Sequence, residues 1–298
     1  MKYYELLNYG KELLERGGIE TGEYDARELL IFASKKPLEE LLMIYREDAP
    51  EEIASLYKKY LDQRSRRYPL QYIMGYSYFY GYRFLVDEAV LVPRPETEEV
   101  VHEALKMTEN VESVKALDLC TGSGCMGITF YLERKSAGLK THLTLADISK
   151  DALGIAENNA INLACPDMKD PDKKIEDILI KESDIFSNID ETYDIIISNP
   201  PYIKSGDING LMPEVREYEP RLALDGTPDN SDGLTFYRKI INEAGRFLNE
   251  NGKICFEIGH DEGEAVRRLL VDNSFTDIKV MKDINGRDRI VTAVFNGE

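Results

Sequence analysis

The stretch Tyr193-Asp194-Ile195-Ile196-Ile197-Ser198-Asn199-Pro200-Pro201-Tyr202 carries an apolar, β-branched run into an Asn-Pro-Pro-Tyr turn. Each proline fixes φ and lacks an N–H, and Pro201 also biases Pro200 away from the helical region, so the backbone after Asn199 is stiff and extended. Such a turn suits methyl transfer to a planar nitrogen. The lone pair of an amide or aromatic amine is delocalised, and the nitrogen attacks poorly until its N–H bonds are held and the pair is aimed at an electrophile. The Asn199 side-chain carbonyl and the Pro200 main-chain carbonyl supply two fixed acceptors for one NH₂ group. Neither is a base, and none is needed if the methylated nitrogen sheds its proton to water. Tyr202 offers a ring face to a planar acceptor or, equally, a half-buried cover for the turn. The catalytic candidates are therefore Asn199, Pro200 and Tyr202.

A second constellation points to a nucleoside. Val114 to Leu119 reads as a strand, and Cys120-Thr121-Gly122-Ser123-Gly124-Cys125-Met126-Gly127 as a Gly-rich turn opening a helix. Gly122, Gly124 and Gly127 satisfy G-x-G-x-x-G, which alone suggests a dinucleotide. Asp118 argues otherwise, because a carboxylate at the strand end suits the ammonium of S-adenosyl-L-methionine and repels a pyrophosphate. Asp147 ends the next strand, Leu143 to Ala146, placed to accept hydrogen bonds from both ribose hydroxyls of either ligand. Ser183-Asp184-Ile185-Phe186 closes a further strand where an adenine would lie, with Ile185 or Phe186 as its apolar wall.

These residues need a parallel sheet to hold them. Three consecutive isoleucines leave neither face of the segment Asp194 to Ser198 for solvent, as in a buried parallel strand, and chemistry in open α/β sheets sits at carboxyl ends of such strands. Thr97 is the expected N-cap of a helix through Lys106, and Ser149 caps one through Ala160. Cys165 to Glu176 reads as a charged surface excursion, and Val215 to Leu224 as a long ordered loop forming a lid or substrate wall. A helix Gly233 to Asn249, a strand Lys253 to Ile258, a helix Glu262 to Val271 and two strands joined by Asp283-Ile284-Asn285-Gly286 complete the sheet, the last two as an antiparallel edge hairpin. Ahead of all this, residues 1–75 show helical periodicity, with Ala26, Leu29, Leu30 and Ala33 on one face and Pro37 and Pro50 at helix starts, giving four or five short helices. This helical region is expected to be a substrate-recognition domain, with a capping or regulatory bundle as the alternative, and residues 76–94 switch to aromatic alternation, a β-hairpin linking it to the domain of residues 95–298 that carries the chemistry. The cluster Lys58, Lys59, Arg64, Arg66, Arg67 is either a solvated helix face or a docking site.

Composition narrows the class. The 298 residues hold 37 basic and 55 acidic side chains, a net charge of −18, which argues against a surface built to neutralise many phosphates. No apolar run approaches membrane-spanning length, and Met1-Lys2-Tyr3-Tyr4-Glu5 leads into a mixed-charge segment, so the expectation is a cytoplasmic protein with no membrane partner. The 4 cysteines lack C-x-x-C spacing and the 3 histidines are scattered, so neither a zinc site nor a disulfide framework is indicated.

With those blocks in hand, the chain resembles the peptide chain release factor N(5)-glutamine methyltransferases over essentially its whole length. The resemblance rests on Tyr68 to Gly75, Pro93-Arg94-Pro95-Glu96-Thr97-Glu98, Asp118 to Gly124, Asn199 to Tyr202 and Glu219 to Leu224. It implies an α/β fold, a Rossmann-like seven-stranded class I methyltransferase sheet behind a small all-helical N-terminal domain. It also implies S-adenosyl-L-methionine as cofactor, and peptide chain release factors as protein substrates, methylated on the glutamine of their Gly-Gly-Gln tip. By position, cofactor contacts fall on Cys120, Thr121, Gly122, Ser123, Gly124, Asp147, Ile185 and Asn199, and substrate contacts on Asn199, Pro200, Pro201 and Tyr202. Cys120 departs from the family, which usually has Gly there. An adenine methyltransferase of nucleic acid would share Asn-Pro-Pro-Tyr but should have a basic surface. A non-catalytic binding protein on the same scaffold would be expected to lose the Asn or the glycines, and both are present.

Overall fold

The computed structural model describes residues 1–164, 177–227 and 229–297, so the excursion expected at Cys165 to Glu176 lies outside the described residues. Five helices come first: α1 (Tyr3–Arg16), α2 (Gly22–Ser34), α3 (Leu38–Met43), α4 (Glu51–Ser65) and α5 (Leu70–Met74). A hairpin of β1 (Tyr76–Phe79) and β2 (Tyr82–Leu85) leads to α6 (Thr97–Thr108), β3 (Ser113–Leu119), α7 (Cys125–Ser136), β4 (Lys140–Asp147), α8 (Lys150–Ala164), β5 (Ile178–Glu182) and β6 (Tyr193–Ser198). Then follow α9 (Pro213–Tyr218), α10 (Arg221–Leu224), α11 (Thr235–Ala244), β7 (Leu248–Glu257), α12 (Gly263–Asp272), β8 (Phe275–Lys282) and β9 (Asp288–Phe295). No helix of the described residues is long and apolar enough to cross a membrane.

The chain divides into two compact units, one of residues 1–76 with 212–218, the other of residues 77–211 with 219–298. In the first, Leu6, Leu14, Ala26, Leu29, Tyr57 and Leu61 are wholly buried, matching the periodicity of α1, α2 and α4. Pro37, Pro50 and Pro69 each occupy an N-cap, where the missing N–H leaves no bond unmade. The basic cluster is neither of the two things expected of it as a whole. Arg64 is buried, its Nε donating to Asp25 at 2.7 Å and its Nη2 to Glu214 of α9 at 2.9 Å. Arg67 reaches Glu214 as well and donates to the Gly18 carbonyl at 2.7 Å, and Arg66 pairs with Asp62. The Tyr218 hydroxyl donates to the Arg66 carbonyl, and its ring meets Tyr68 edge-on. The expected lid thus contains a helix, α9, that belongs to the first unit.

The second unit is built on a seven-stranded sheet of order β5-β4-β3-β6-β7-β9-β8. The pairs β4–β5, β3–β4, β3–β6 and β6–β7 are parallel, and β9 runs antiparallel to both β7 and β8. The last strand is therefore interior, with β8 at the edge. Ile195, Ile196 and Ile197 are 0% exposed, since helices cover both faces of a parallel sheet. The hairpin turns at Tyr80 and Gly81, both with positive φ as a tight two-residue connection requires. The expected helix to Asn249 ends instead at Ala244, because Leu248 already pairs with Tyr193 in the sheet.

Replacing Arg64 with Met should lower stability by about 3–5 kcal/mol, since it strands the buried Asp25 carboxylate and removes a partner of Glu214. Changing Lys58 and Lys59 together to Ala should shift it by no more than about 0.5 kcal/mol, as for surface sites without special features. Urea unfolding checks both; equal effects would mean that the arginine carries no structural charge pairing.

Candidate active site

The sheet changes direction between β3 and β6, the place where open α/β sheets bind ligands. Leu119 and Ser198 are register partners there, and the Ser198 hydroxyl donates to the Leu119 carbonyl at 2.7 Å. The two sequence motifs thus leave the sheet side by side. A cavity of 420 Å³ opens beyond them, within the range of about 300–1,000 Å³ usual for small-molecule sites.

On the β3 side the turn reverses sharply, with φ of 57° at Cys120, 55° at Gly122 and 80° at Gly124. Left-handed backbone at Cys120 is a conformation that favours Gly, and a side chain there costs roughly 1–2 kcal/mol. Cys120, Thr121, Gly122 and Ser123 line the cavity. Gly124 does not: a Cβ there would stand 2.6 Å from Ile128 and 3.3 Å from Ala156, so its task is to let α7 start against α8. Asp118 also misses the cavity. It is fully buried, its Oδ2 accepting from the Thr121 hydroxyl at 2.6 Å and the Gly127 N–H at 2.9 Å, and burial raises its pKa to about 7. Asp118 therefore braces the turn through Oδ2, while its Oδ1 is buried without a hydrogen-bond partner among the described residues. Gly127 permits that bond, because a Cβ would come within 2.8 Å of the same carboxylate oxygen.

At the end of β4, Asp147 stands on the cavity wall. One oxygen accepts from the Gly122 N–H and the other from the Ser149 N–H, each at 2.9 Å, which leaves a further lone pair on both for hydroxyl donors. Burial raises its pKa against the pull of those N–H groups. Ser149 also caps α8, accepting from the Ala152 N–H. Ile185 lies on the wall and Phe186 does not, because Phe186 stacks on Phe247 with ring centres 4.4 Å apart. Ile185 has φ 54°, unusual for a β-branched residue, and its carbonyl is held by the Ser183 hydroxyl at 2.8 Å.

On the β6 side, Asn199 and Pro201 line the cavity. The Asn199 side chain makes no hydrogen bond with the described residues and is free to take a ligand. Pro200 is buried and is not on the wall. Neither is Tyr202, for which a stacking face and a half-buried cover of the turn are equal expectations; it is half-buried, and its hydroxyl donates to Glu257 at 3.2 Å and accepts from Arg289 at 3.3 Å. Thr97, expected as an N-cap, is the first residue of α6 and has no capping bond; its hydroxyl donates to Glu257 at 2.5 Å from the cavity wall.

The structure adds residues that motif reading passed over. Arg94 donates to Glu219 at 2.6 Å, joining two of the recognised blocks across the sequence, and Arg94 and Pro220 both line the cavity. Buried Asn230 donates to the Pro201 and Asp225 carbonyls and accepts from the Thr235 N–H, pinning the turn to the loop beyond it. Buried Asn159 donates to the Ser123 carbonyl at 2.9 Å and exchanges two bonds with Leu85, pinning the Gly-rich turn to β2. A polar residue in line with Ala152, Ala156 and Ala160 on a helix was the available signal. Exposed Ile148, beside Asp147, adds a second apolar wall.

Two families match the chain, one described as PrmC N-terminal domain over residues 5–75 and one as Methyltransferase small domain over residues 99–214. A release factor glutamine methyltransferase of Bacillus cereus is 35% identical over 301 residues, covering 98% of this chain and 99% of that protein. One of Caulobacter vibrioides is 37% identical over 288 residues, covering 96% and 94%, and one of Fusobacterium nucleatum is 34% identical over 293 residues, covering 97% and 78%. Similarity of this extent includes both units and every block that meets at the cavity, and the chain belongs to the release factor glutamine methyltransferase family.

Proposed function

We propose that the protein transfers a methyl group from S-adenosylmethionine to the side-chain amide nitrogen of the glutamine in the Gly-Gly-Gln tip of a peptide chain release factor. The observation that carries this reading is the free Asn199 amide on the wall of the same cavity that Asp147 and the Gly-rich turn enclose. The residues fit the cofactor. Asp147 retains acceptor capacity for a ribose diol, the space where a Gly122 Cβ would stand is open, and Ile148 and Ile185 give apolar walls suited to a purine. Once bound, the cofactor supplies an electrophilic methyl group on a sulfonium centre.

The chain's own contribution is orientation. The Asn199 carbonyl oxygen accepts an N–H of the substrate amide at the cavity wall, turning the nitrogen lone pair toward the methyl group. Asn230, held to Pro201, and Ser198, held to Leu119, keep that turn from yielding as the amide docks. The Arg94–Glu219 pair braces the wall that carries Pro220. The proton leaves to water after transfer, so a turn without a basic side chain suffices. Incubation with labelled S-adenosylmethionine and either a release factor or nucleic acid tests the substrate class: label should enter the release factor, and label in nucleic acid would overturn the reading.

Asn199→Ala should lower turnover by about 3–4 kcal/mol, the scale of a lost transition-state hydrogen bond, while leaving cofactor affinity nearly intact. Steady-state kinetics beside calorimetry decide it, and near-normal methylation by the variant would sink the orientation mechanism.

Asp147→Ala should weaken S-adenosylmethionine binding by about 1–3 kcal/mol through lost charge-assisted bonds. Asp147→Asn should lose less, since one oxygen still accepts from the hydroxyls. Unchanged affinity by calorimetry, or tight binding of a nicotinamide dinucleotide, would show that the Gly-rich turn has been misread.

A further inference from the structure

Glu257 ends β7, is 2% exposed and carries a carboxylate whose two oxygens serve two different segments. Oε2 accepts from the Thr97 hydroxyl at 2.5 Å, and Oε1 from the Tyr202 hydroxyl at 3.2 Å. Its main-chain carbonyl accepts from the Tyr237 hydroxyl at 2.7 Å. The register pair Ser198 and Phe256 puts Glu257 one residue past the partner of Ser198, level with Asn199. Arg289 completes the arrangement from β9, donating to the Tyr202 hydroxyl and the Ile258 carbonyl, and its Nε donates to Asp283 at 3.4 Å.

Burying an acid is unfavourable, and an apolar residue of similar size would fill the space at lower cost. What an apolar residue lacks is direction. A carboxylate with one hydroxyl on each oxygen fixes the separation of the two groups that donate to it. One of those groups stands on the cavity wall, and the other lies three residues beyond Asn199 in a proline-stiffened turn.

We propose that Glu257 is a positioning residue for methyl transfer: by tying Thr97 and Tyr202 to one point at the end of β7, it sets where Asn199 meets the substrate amide. This inference rests on the function proposed above and takes Tyr202 as a cover of the turn rather than a stacking face. Glu257 touches no reacting atom, and its effect passes through the turn.

The test compares the full-length protein with Glu257→Gln, Glu257→Ala, Tyr202→Phe and the Glu257→Gln, Tyr202→Phe double variant. For each, kcat and KM on intact release factor, the Kd for S-adenosylmethionine, the unfolding midpoint and the NMR shift of the Asn199 side-chain amide are measured. Glu257→Ala and Tyr202→Phe should lower kcat about tenfold to a hundredfold, the effect of a misplacement near 1 Å, with KM and Kd little changed. Glu257→Gln should fall between them and the wild type, because its amide oxygen still accepts one hydroxyl. The double variant should be no worse than the poorer single variant, as expected of residues acting in one chain of contacts. The Asn199 resonance should move in Glu257→Gln and Tyr202→Phe alike. Wild-type kcat in Glu257→Gln and Glu257→Ala, multiplied losses in the double variant, an unmoved Asn199 resonance, or a kcat loss that merely follows cofactor affinity and unfolding midpoint would each overturn the inference. If the wild type leaves the glutamine tip unmethylated yet the Asn199 resonance moves as described, the substrate reading falls and the positioning geometry stands.

Discussion

Where β3 and β6 lie side by side in parallel, the Ser198 hydroxyl donates to the Leu119 carbonyl at 2.7 Å, and everything at the catalytic end is measured from that bond. The strands before it in the chain build the sheet in one direction, toward β4 and β5, and β7 extends it in the other. Loops that follow β3 and β6 must therefore part from each other, and the cavity is the gap between them. A slip of one residue in this register would turn every side chain on β6 to the opposite face and carry Asn199 away from the Gly-rich turn.

The acidic character of this end is largely taken up in holding backbone and hydroxyl groups. Asp118 grips Thr121 and Gly127, Asp147 grips Gly122 and Ser149, Glu219 holds Arg94, and Glu257 holds Thr97 and Tyr202. Each bond ties a site loop to a strand end or to a distant segment. That economy suits a transfer in which placement, with no proton acceptor in the turn, does the catalytic work.

The helical unit has a comparable device. Arg64 is the buried counterpart of Asp25 and Glu214, and the second of these acids arrives from α9, far along the chain. Residues immediately after α9 return to the cavity wall as Pro220, Leu222 and Ala223. A deletion of residues 1–75 would thus remove the partners of α9 as well as a candidate recognition surface, and any loss of activity in such a truncation has two causes to separate.

The amino-acid sequence determined by itself those features that rest on local chemistry: the stiff turn after Asn199, the strand of three isoleucines, the glycines of the cofactor turn, Asp147 at a strand end, and the helical periodicity of the first 75 residues. Each depends on φ restriction, side-chain branching or a short apolar period, which neighbours in sequence are enough to specify. Long-range pairing decided the rest. Asp118 looked like a ligand contact because a strand-end carboxylate is often solvent-facing, but α7 packs so closely at Gly127 that the carboxylate is enclosed. Thr97 has the sequence context of a cap and Tyr202 that of a stacking face, yet both hydroxyls turn to Glu257, which lies 160 residues from one of them. Arg64 and Arg67 read as a basic surface until α9 brings Glu214 to them. Asp118 finds its partners within nine residues, in the turn and the first turn of α7, whereas Thr97, Tyr202, Arg64 and Arg67 meet acids remote in sequence, and only the register of the sheet and the packing of helices determine which donor satisfies which buried acid.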